Sequence, residues 1–278
     1  MQVHDHQLVG DDGVPVPFRE SPNWTHGTFL APEYLLVHYT AAPSAEDAVA
    51  RFLDPRARAS AHLVVGRDGT VTQLVRFDRV AWHAGPSRWE GRPGLNAFAI
   101  GIELDNPGRL VRLGPGRWGT WYGDVLPDDD VVQAVHRDDP VGSLLSGWPR
   151  YPAAQLAAAL AAAEAVVQAY GLRDVLGHDE VAPGRRSDPG PAFPMASVRA
   201  RLFGRADDAL PVWVTSEALA IRAAPARRAA PRQAARCRRG RRARRHAAPG
   251  ELVEVLDAGG DQPDREGWVH SRFLRPAA

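Results

Sequence analysis

Apolar and polar positions follow two different periods along this chain. Residues 34–40 (Tyr-Leu-Leu-Val-His-Tyr-Thr) are a mostly apolar run too short for a typical helix, which predicts a buried strand with His38 near its end. Residues 61–65 and 71–75 read as strands joined through Asp68-Gly69, a hairpin signal because glycine accepts the positive φ such a turn needs. Residues 99–104 form a further strand, with Ile100, Ile102 and Leu104 on one face and Gly101 and Glu103 on the other. A short strand over 175–178 ends at His178.

The helical period appears elsewhere. Ser44 with Asp47 three residues on predicts an N-cap and a helix to about Leu53, stopped by Asp54-Pro55 because the residue before proline is pushed out of the helical region. The clearest helix covers 152–170. Pro152 opens it, its body is rich in alanine, and Leu156, Leu160, Ala163, Val167 and Tyr170 form one stripe before Gly171 as C-cap. Residues 197–203 read as a last short helix. Residues 1–29 read as an irregular N-terminal segment, and 106–150, rich in Gly, Pro, Trp and Asp, as a long loop or insertion. The expected organisation is therefore 1–29 irregular, 30–204 a principal α/β domain, and 211–278 a small region of short strands.

Composition narrows the classes. The chain has 278 residues, 44% apolar and 24% charged, which is ordinary for a globular protein and allows one large domain or two small ones. Its 34 basic residues, all arginine, nearly balance 33 acidic ones, so the net charge of +1 makes it no polycation. The single cysteine, Cys237, excludes an intramolecular disulfide and a cysteine zinc ribbon. No uninterrupted run approaches 18 apolar residues, so no transmembrane segment is expected. The start lacks a basic stretch followed by an apolar one, so no signal peptide is expected. Residues 225–246 hold ten arginines and almost no large apolar side chain, too little to fold alone.

Three side chains carry candidate chemistry. His38 ends one strand, His178 ends another, and Asp188 lies ten residues further on, past Pro183-Gly184. Two imidazoles and a carboxylate are a ligand set for a catalytic zinc, leaving a fourth position for water. Glu103 is a candidate proton carrier.

The segment Gly177-His178-Asp179-Glu180-Val181-Ala182-Pro183-Gly184-Arg185-Arg186-Ser187-Asp188-Pro189-Gly190-Pro191 resembles the zinc-binding signature of the type 2 N-acetylmuramoyl-L-alanine amidases, a family that includes the peptidoglycan recognition proteins. Val37-His38-Tyr39-Thr40, Ala81-Trp82-His83-Ala84-Gly85, and Asn96 with Ile100-Gly101-Ile102-Glu103 match its other pieces in the expected order, over roughly residues 30–203. The resemblance implies a central mixed β-sheet flanked by helices, with a zinc groove at one edge. It implies Zn2+ held by His38, His178 and Asp188, and hydrolysis of the amide between N-acetylmuramic acid and L-alanine of peptidoglycan or its fragments.

By the same resemblance Glu103 and Arg186 are the catalytic candidates. Arg186 departs from the lysine common in the family; an arginine stays protonated, so it can stabilise negative charge but not deliver a proton. That leaves proton delivery to Glu103 alone or with His83. His83, Trp82, His62, Asn96 and Phe193 are expected to serve substrate binding.

Residues 211–278 resemble a bacterial SH3-like domain, which implies an anchor to the cell wall. The rival readings are a muropeptide-binding module without turnover and a polyanion binder acting through the arginine run. No motif points to specific nucleic-acid recognition. The expected state is a monomer. The tethering module points to the wall outside the membrane, and the absent signal to the cytoplasm.

Overall fold

The computed structural model describes residues 1–204 and, of the rest, the strands Val212–Thr215, Leu219–Arg222, Pro231–Cys237, Arg242–Arg244, Leu252–Asp257, Arg265–His270 and Leu274–Pro276. Two compact units divide at Phe203/Gly204. The strands of the second unit pair antiparallel into a three-stranded and a four-stranded sheet. Two of them, Pro231–Cys237 and Arg242–Arg244, lie within the arginine-rich 225–246 stretch. The SH3-like expectation otherwise concerns residues outside the described ones.

The first unit is built on five strands: β1 (Tyr34–Tyr39), β2 (Leu63–Val65), β3 (Val71–Gln73), β4 (Ala99–Leu104) and β5 (Asp174–Gly177). Their spatial order is β5-β1-β4-β2-β3. β1, β2, β4 and β5 are parallel neighbours, and β2–β3 is the antiparallel hairpin, so the sheet is mixed as expected. β4 is the middle strand and is buried over its whole length, which is why it reads Ala-Ile-Gly-Ile-Glu-Leu with little polarity.

Helices cover both faces. α1 (Ala45–Leu53) begins where the Ser44 hydroxyl accepts from the Asp47 N–H at 3.1 Å, and it packs Ala48, Val49 and Phe52 with Val64. α2 (Ala153–Tyr170) packs on the opposite face against Leu35, Val37, Ile100, Ile102 and Leu104 and ends at Gly171, whose φ of 63° is the left-handed cap. α2 is long and apolar enough, by length and composition, to cross a membrane, contrary to the expectation from uninterrupted runs; here it is a core helix of the sheet. The buried Gln155 fixes its first turn to the sheet by donating to Val65 O and Asp105 O, both at 3.0 Å. α3 (His178–Val181) follows β5 directly, and α4 (Met195–Phe203) closes the unit beside α2.

Two segments depart from the sequence reading. Residues 1–29 are not an irregular lead-in: Gln2–His4 and Gln7–Val9 form a hairpin that buries Leu8 completely, and Trp24–Phe29 pairs with Arg79–Ala81. Residues 106–150 are an ordered insertion of short antiparallel strands around Leu110, Trp118 and Val131. Apart from the six-residue Trp24–Phe29, these strands have three or four residues, too few to leave a periodicity to read.

Asn23 shows what the N-terminal segment does. Its buried side-chain amide donates to Phe52 O, Asp54 O and Ala59 O at 3.1, 2.9 and 3.1 Å, tying the end of α1 to the chain entering β2. Asn23→Ala removes one donor from each of the three carbonyls, though Phe52 O keeps Ser21 Oγ and Asp54 O keeps the Ala57 N–H, and is expected to lower stability by about 1–3 kcal/mol, measured by urea denaturation.

Candidate functional site

The site begins with strand register. In the parallel sheet Val37 of β1 lies between Ile102 of β4 and Gly177 of β5, and His38 lies beside Glu103. The residue after Gly177 is His178, so His38, Glu103 and His178 reach the carboxyl ends of three adjacent strands together. That edge is where open α/β sheets place their ligands. Alternation puts His38, Gly101 and Glu103 on one face of the sheet and the α2-packed Val37, Ile102 and Leu104 on the other.

Asp188 arrives from the loop after α3. Its carbonyl accepts the Asp179 N–H at 2.8 Å, which folds the loop back onto its own start. Its Oδ2 then lies 2.8 Å from His38 Nδ1 and 2.9 Å from His178 Nδ1, and the two Nδ1 atoms are 2.8 Å apart. All three side chains are buried. The structure thus brings together the three residues the signature singled out.

The hydrogen-bond partners decide what those atoms present. His83 Nε2 lies 3.2 Å from the carbonyl of Ala99 and can only donate to it, so His83 Nδ1 is an acceptor. That acceptor lies 3.0 Å from His38 Nε2, which must carry the hydrogen. His178 Nε2 has two neighbours, Ala84 O at 2.9 Å and Arg185 Nη2 at 3.3 Å, and donates to the nearer, the carbonyl. Both ligand rings are therefore tautomers with their hydrogens pointing away and Nδ1 lone pairs pointing inward. Burial, with the neighbouring His178, pushes His38 down to about 4, and burial with the neighbouring His38 and His62 pushes His83 well below the usual histidine range, so both rings are neutral at pH 7. Two lone pairs and a carboxylate oxygen facing one another across less than 3 Å are the donor set of a cation site.

Glu103 stands beside this cluster. It is 8% exposed, and its Oε2 has no hydrogen-bond partner. Burial and then the Asp188 charge push its carboxyl well above the usual carboxylate range, against the pull of Arg186 and Arg51. A buried carboxyl oxygen without a partner, next to a cation site, is placed to hold a proton. Arg186 lines the same groove and is exposed; among the described residues its guanidinium makes no hydrogen bond or ion pair.

The five expected substrate-binding residues divide. Trp82 and His83 line the groove, with Trp82 Nε1 donating to Thr25 Oγ1 at 2.9 Å. The His83 ring lies flat against Gly101: a Cβ there would sit 2.5 Å from His83 Cγ, which is why this strand position carries no side chain. Asn96 sits behind the groove, its Oδ1 accepting from His83 N at 3.0 Å and Ala84 N at 2.7 Å, so it shapes the turn. His62 is wholly buried and uses both nitrogens, one accepting from Gly101 N and one donating to Arg79 O, each at 2.9 Å. Phe193 lies on the other face of the sheet, 5.5 Å from the Tyr151 ring. Of the five, Trp82 and His83 line the groove, whereas Asn96, His62 and Phe193 do not.

Several residues of the site carried no local signal. Arg185, next to the expected Arg186, donates to Ala84 O and Pro86 O at 2.7 Å each and so clamps the turn that holds His178. The Tyr39 hydroxyl meets Ser187 Oγ at 2.7 Å. From the insertion, three consecutive residues grip the ligand loop: His136 Nε2 lies 3.2 Å from Asp179 Oδ2, Arg137 pairs with Glu180 at 3.2 Å, and Asp138 accepts from Gly184 N at 2.7 Å. Burial lifts the Asp179 carboxyl in that grip to about 6.

Residues 28–191 match the family described as N-acetylmuramoyl-L-alanine amidase (Amidase_2). The chain is 30% identical over 216 residues to 1,6-anhydro-N-acetylmuramyl-L-alanine amidase AmpD of Escherichia coli (strain K12), covering 72% of this chain and 96% of that protein. It is 32% identical over 186 residues to the AmpD of Citrobacter freundii, covering 61% and 80%. A crystal structure of an AmpD selenomethionine derivative superposes with a TM-score of 0.48 at 26% identity, over 72% of this chain and 98% of that one. With His38, His178 and Asp188 gathered within its matched span, the chain belongs to the N-acetylmuramoyl-L-alanine amidase family, hydrolases of the bond between N-acetylmuramic acid and L-alanine.

Proposed function

We propose that this protein uses a zinc ion held by His38 Nδ1, His178 Nδ1 and Asp188 Oδ2 to hydrolyse the amide between N-acetylmuramic acid and L-alanine in soluble peptidoglycan fragments. The observation that carries it is the meeting of those three atoms within 2.9 Å of one another, beside the unpartnered Glu103 Oε2. The fragment substrate is favoured by similarity along most of the length of AmpD, whose name specifies a 1,6-anhydro-muramyl compound.

Zinc, when bound, supplies Lewis acidity: it polarises a carbonyl and lowers the pKa of water to about 7. The chain's own residues do the rest. Glu103 Oε2, unpartnered beside the cation site, takes the proton of the attacking water and passes it to the leaving nitrogen. His83 is not free to share the task, since one nitrogen is occupied by His38 and the other by Ala99 O. It orients His38 instead. Arg186, permanently charged at the groove wall, draws the negative charge that grows on the carbonyl oxygen.

The direct test is mass spectrometry of a muramoyl-peptide digest. Zinc-loaded protein is expected to release peptide with a free L-alanine amino terminus, chelation to stop the reaction and zinc to restore it. Absence of that terminus from any muramoyl substrate would end the amidase reading. Asp188→Ala should lose both bound zinc and turnover, scored by metal analysis. Glu103→Gln should keep its zinc and its thermal stability while kcat falls by about 10²–10⁴-fold. Gly101→Ala, by displacing the His83 ring that fixes His38, should weaken zinc affinity by about 10–100-fold in a competition titration.

A further inference from the structure

The insertion at 106–150 adds an aromatic side chain to the lip of the groove. Trp121 is 69% exposed, yet its indole is held in one place: Nε1–H donates to Ala41 O at 2.9 Å. Ala41 is itself a groove-lining residue. It has a positive φ of 49°, and its own N–H is bound by Asn106 O at 3.1 Å, so the carbonyl that holds the indole belongs to a turn fastened to the end of β4. The Tyr122 ring braces the indole edge-on, with centroids 5.4 Å apart and planes at 86°. Ala41 follows the ligand His38 by three residues, a reach of at most about 11 Å along the chain.

With its N–H committed to Ala41, Trp121 still offers one thing, a flat apolar face open to solvent. Among the described residues the groove also presents the unpaired guanidinium groups of Arg51 and Arg186, beside the unpartnered Glu103 Oε2. A muramoyl peptide divides along the same line. Its peptide half carries carboxylates, which suit the arginines. Its sugar half presents a C–H face of a pyranose, which suits an indole. In such a substrate only a lactyl link separates the sugar ring from the amide to be cut, so a ring seated beside Ala41 stays close to the bond that is cut.

We propose that Trp121 is a sugar-binding platform that seats the N-acetylmuramic acid ring at the groove lip and so helps select muramoyl substrates. This deepens the amidase reading and rests on it for the identity of the sugar.

The test uses zinc-loaded full-length protein, wild type, Trp121→Ala and Trp121→Phe, with two probes: N-acetylmuramic acid and a stem peptide beginning with L-alanine. Trp121→Ala is expected to weaken N-acetylmuramic acid binding about tenfold, to leave peptide binding within twofold, and to raise KM rather than lower kcat on the joined substrate. Trp121→Phe should recover most of the loss. The indole N–H resonance of Trp121, assigned by its absence from the phenylalanine variant, should shift with the sugar and not with the peptide. Unchanged sugar affinity in Trp121→Ala, a loss confined to the peptide, or equal losses for both probes would overturn the proposal. Sugar binding that depends on Trp121 in a protein that cleaves no muramoyl amide would overturn the amidase reading alone.

Discussion

The first unit is organised around a repulsion that the fold alone does not relieve. His38 Nδ1, His178 Nδ1 and Asp188 Oδ2 face one another at 2.8–2.9 Å inside the protein, and the hydrogens that would let them bond are committed to acceptors behind the rings. Burying donors of this kind together is costly unless a cation joins them. The surroundings are arranged to keep the rings from turning. Ala99 O fixes His83, His83 fixes His38, and Ala84 O fixes His178. Asn96 and Arg185 then hold the turn that carries both His83 and Ala84.

The division of labour between the sheet's faces follows from this. One face is covered by the alanine-rich α2, whose small side chains leave an apolar cavity against Leu35, Val37, Ile102 and Leu104. That apolar cover lets the same strands carry His38 and Glu103 on the other face without losing their burial. Glu103 gains most. In the middle strand of the sheet, with one oxygen unpartnered, it binds a proton far more readily than a surface glutamate would.

The insertion joins the site from outside the sheet. His136, Arg137 and Asp138 bond in succession to Asp179, Glu180 and Gly184, so the loop that delivers Asp188 is gripped along its length. The Tyr151 hydroxyl adds a bond to Pro189 O at 2.8 Å. The same insertion places Trp121 at the groove lip. A segment with little periodicity thus steadies the loop that delivers Asp188 and sets Trp121 against Ala41, a residue that lines the groove.

What the amino-acid order determined by itself was local and periodic. The strand ending in His38, the two faces of residues 99–104, the capped helix at Ser44 and the long helix closed by Gly171 all rest on neighbours within one or two turns of chain, and they stand in the structure. The three residues that could hold a cation, His38, His178 and Asp188, were legible because they sit in ordered motifs. Tertiary structure decided the rest. Parallel register between β1, β4 and β5 set His38 beside Glu103 and one step from His178, relations across 65 and 140 positions of chain that no local period encodes. It also turned Phe193 to the far face, sealed His62 between strands, and recruited His136 and Arg185 through contacts made only once the chain has closed on itself. The physical reason is common to all of these: a side chain's partners are chosen by which backbone it meets after folding, and burial then fixes its proton and its charge.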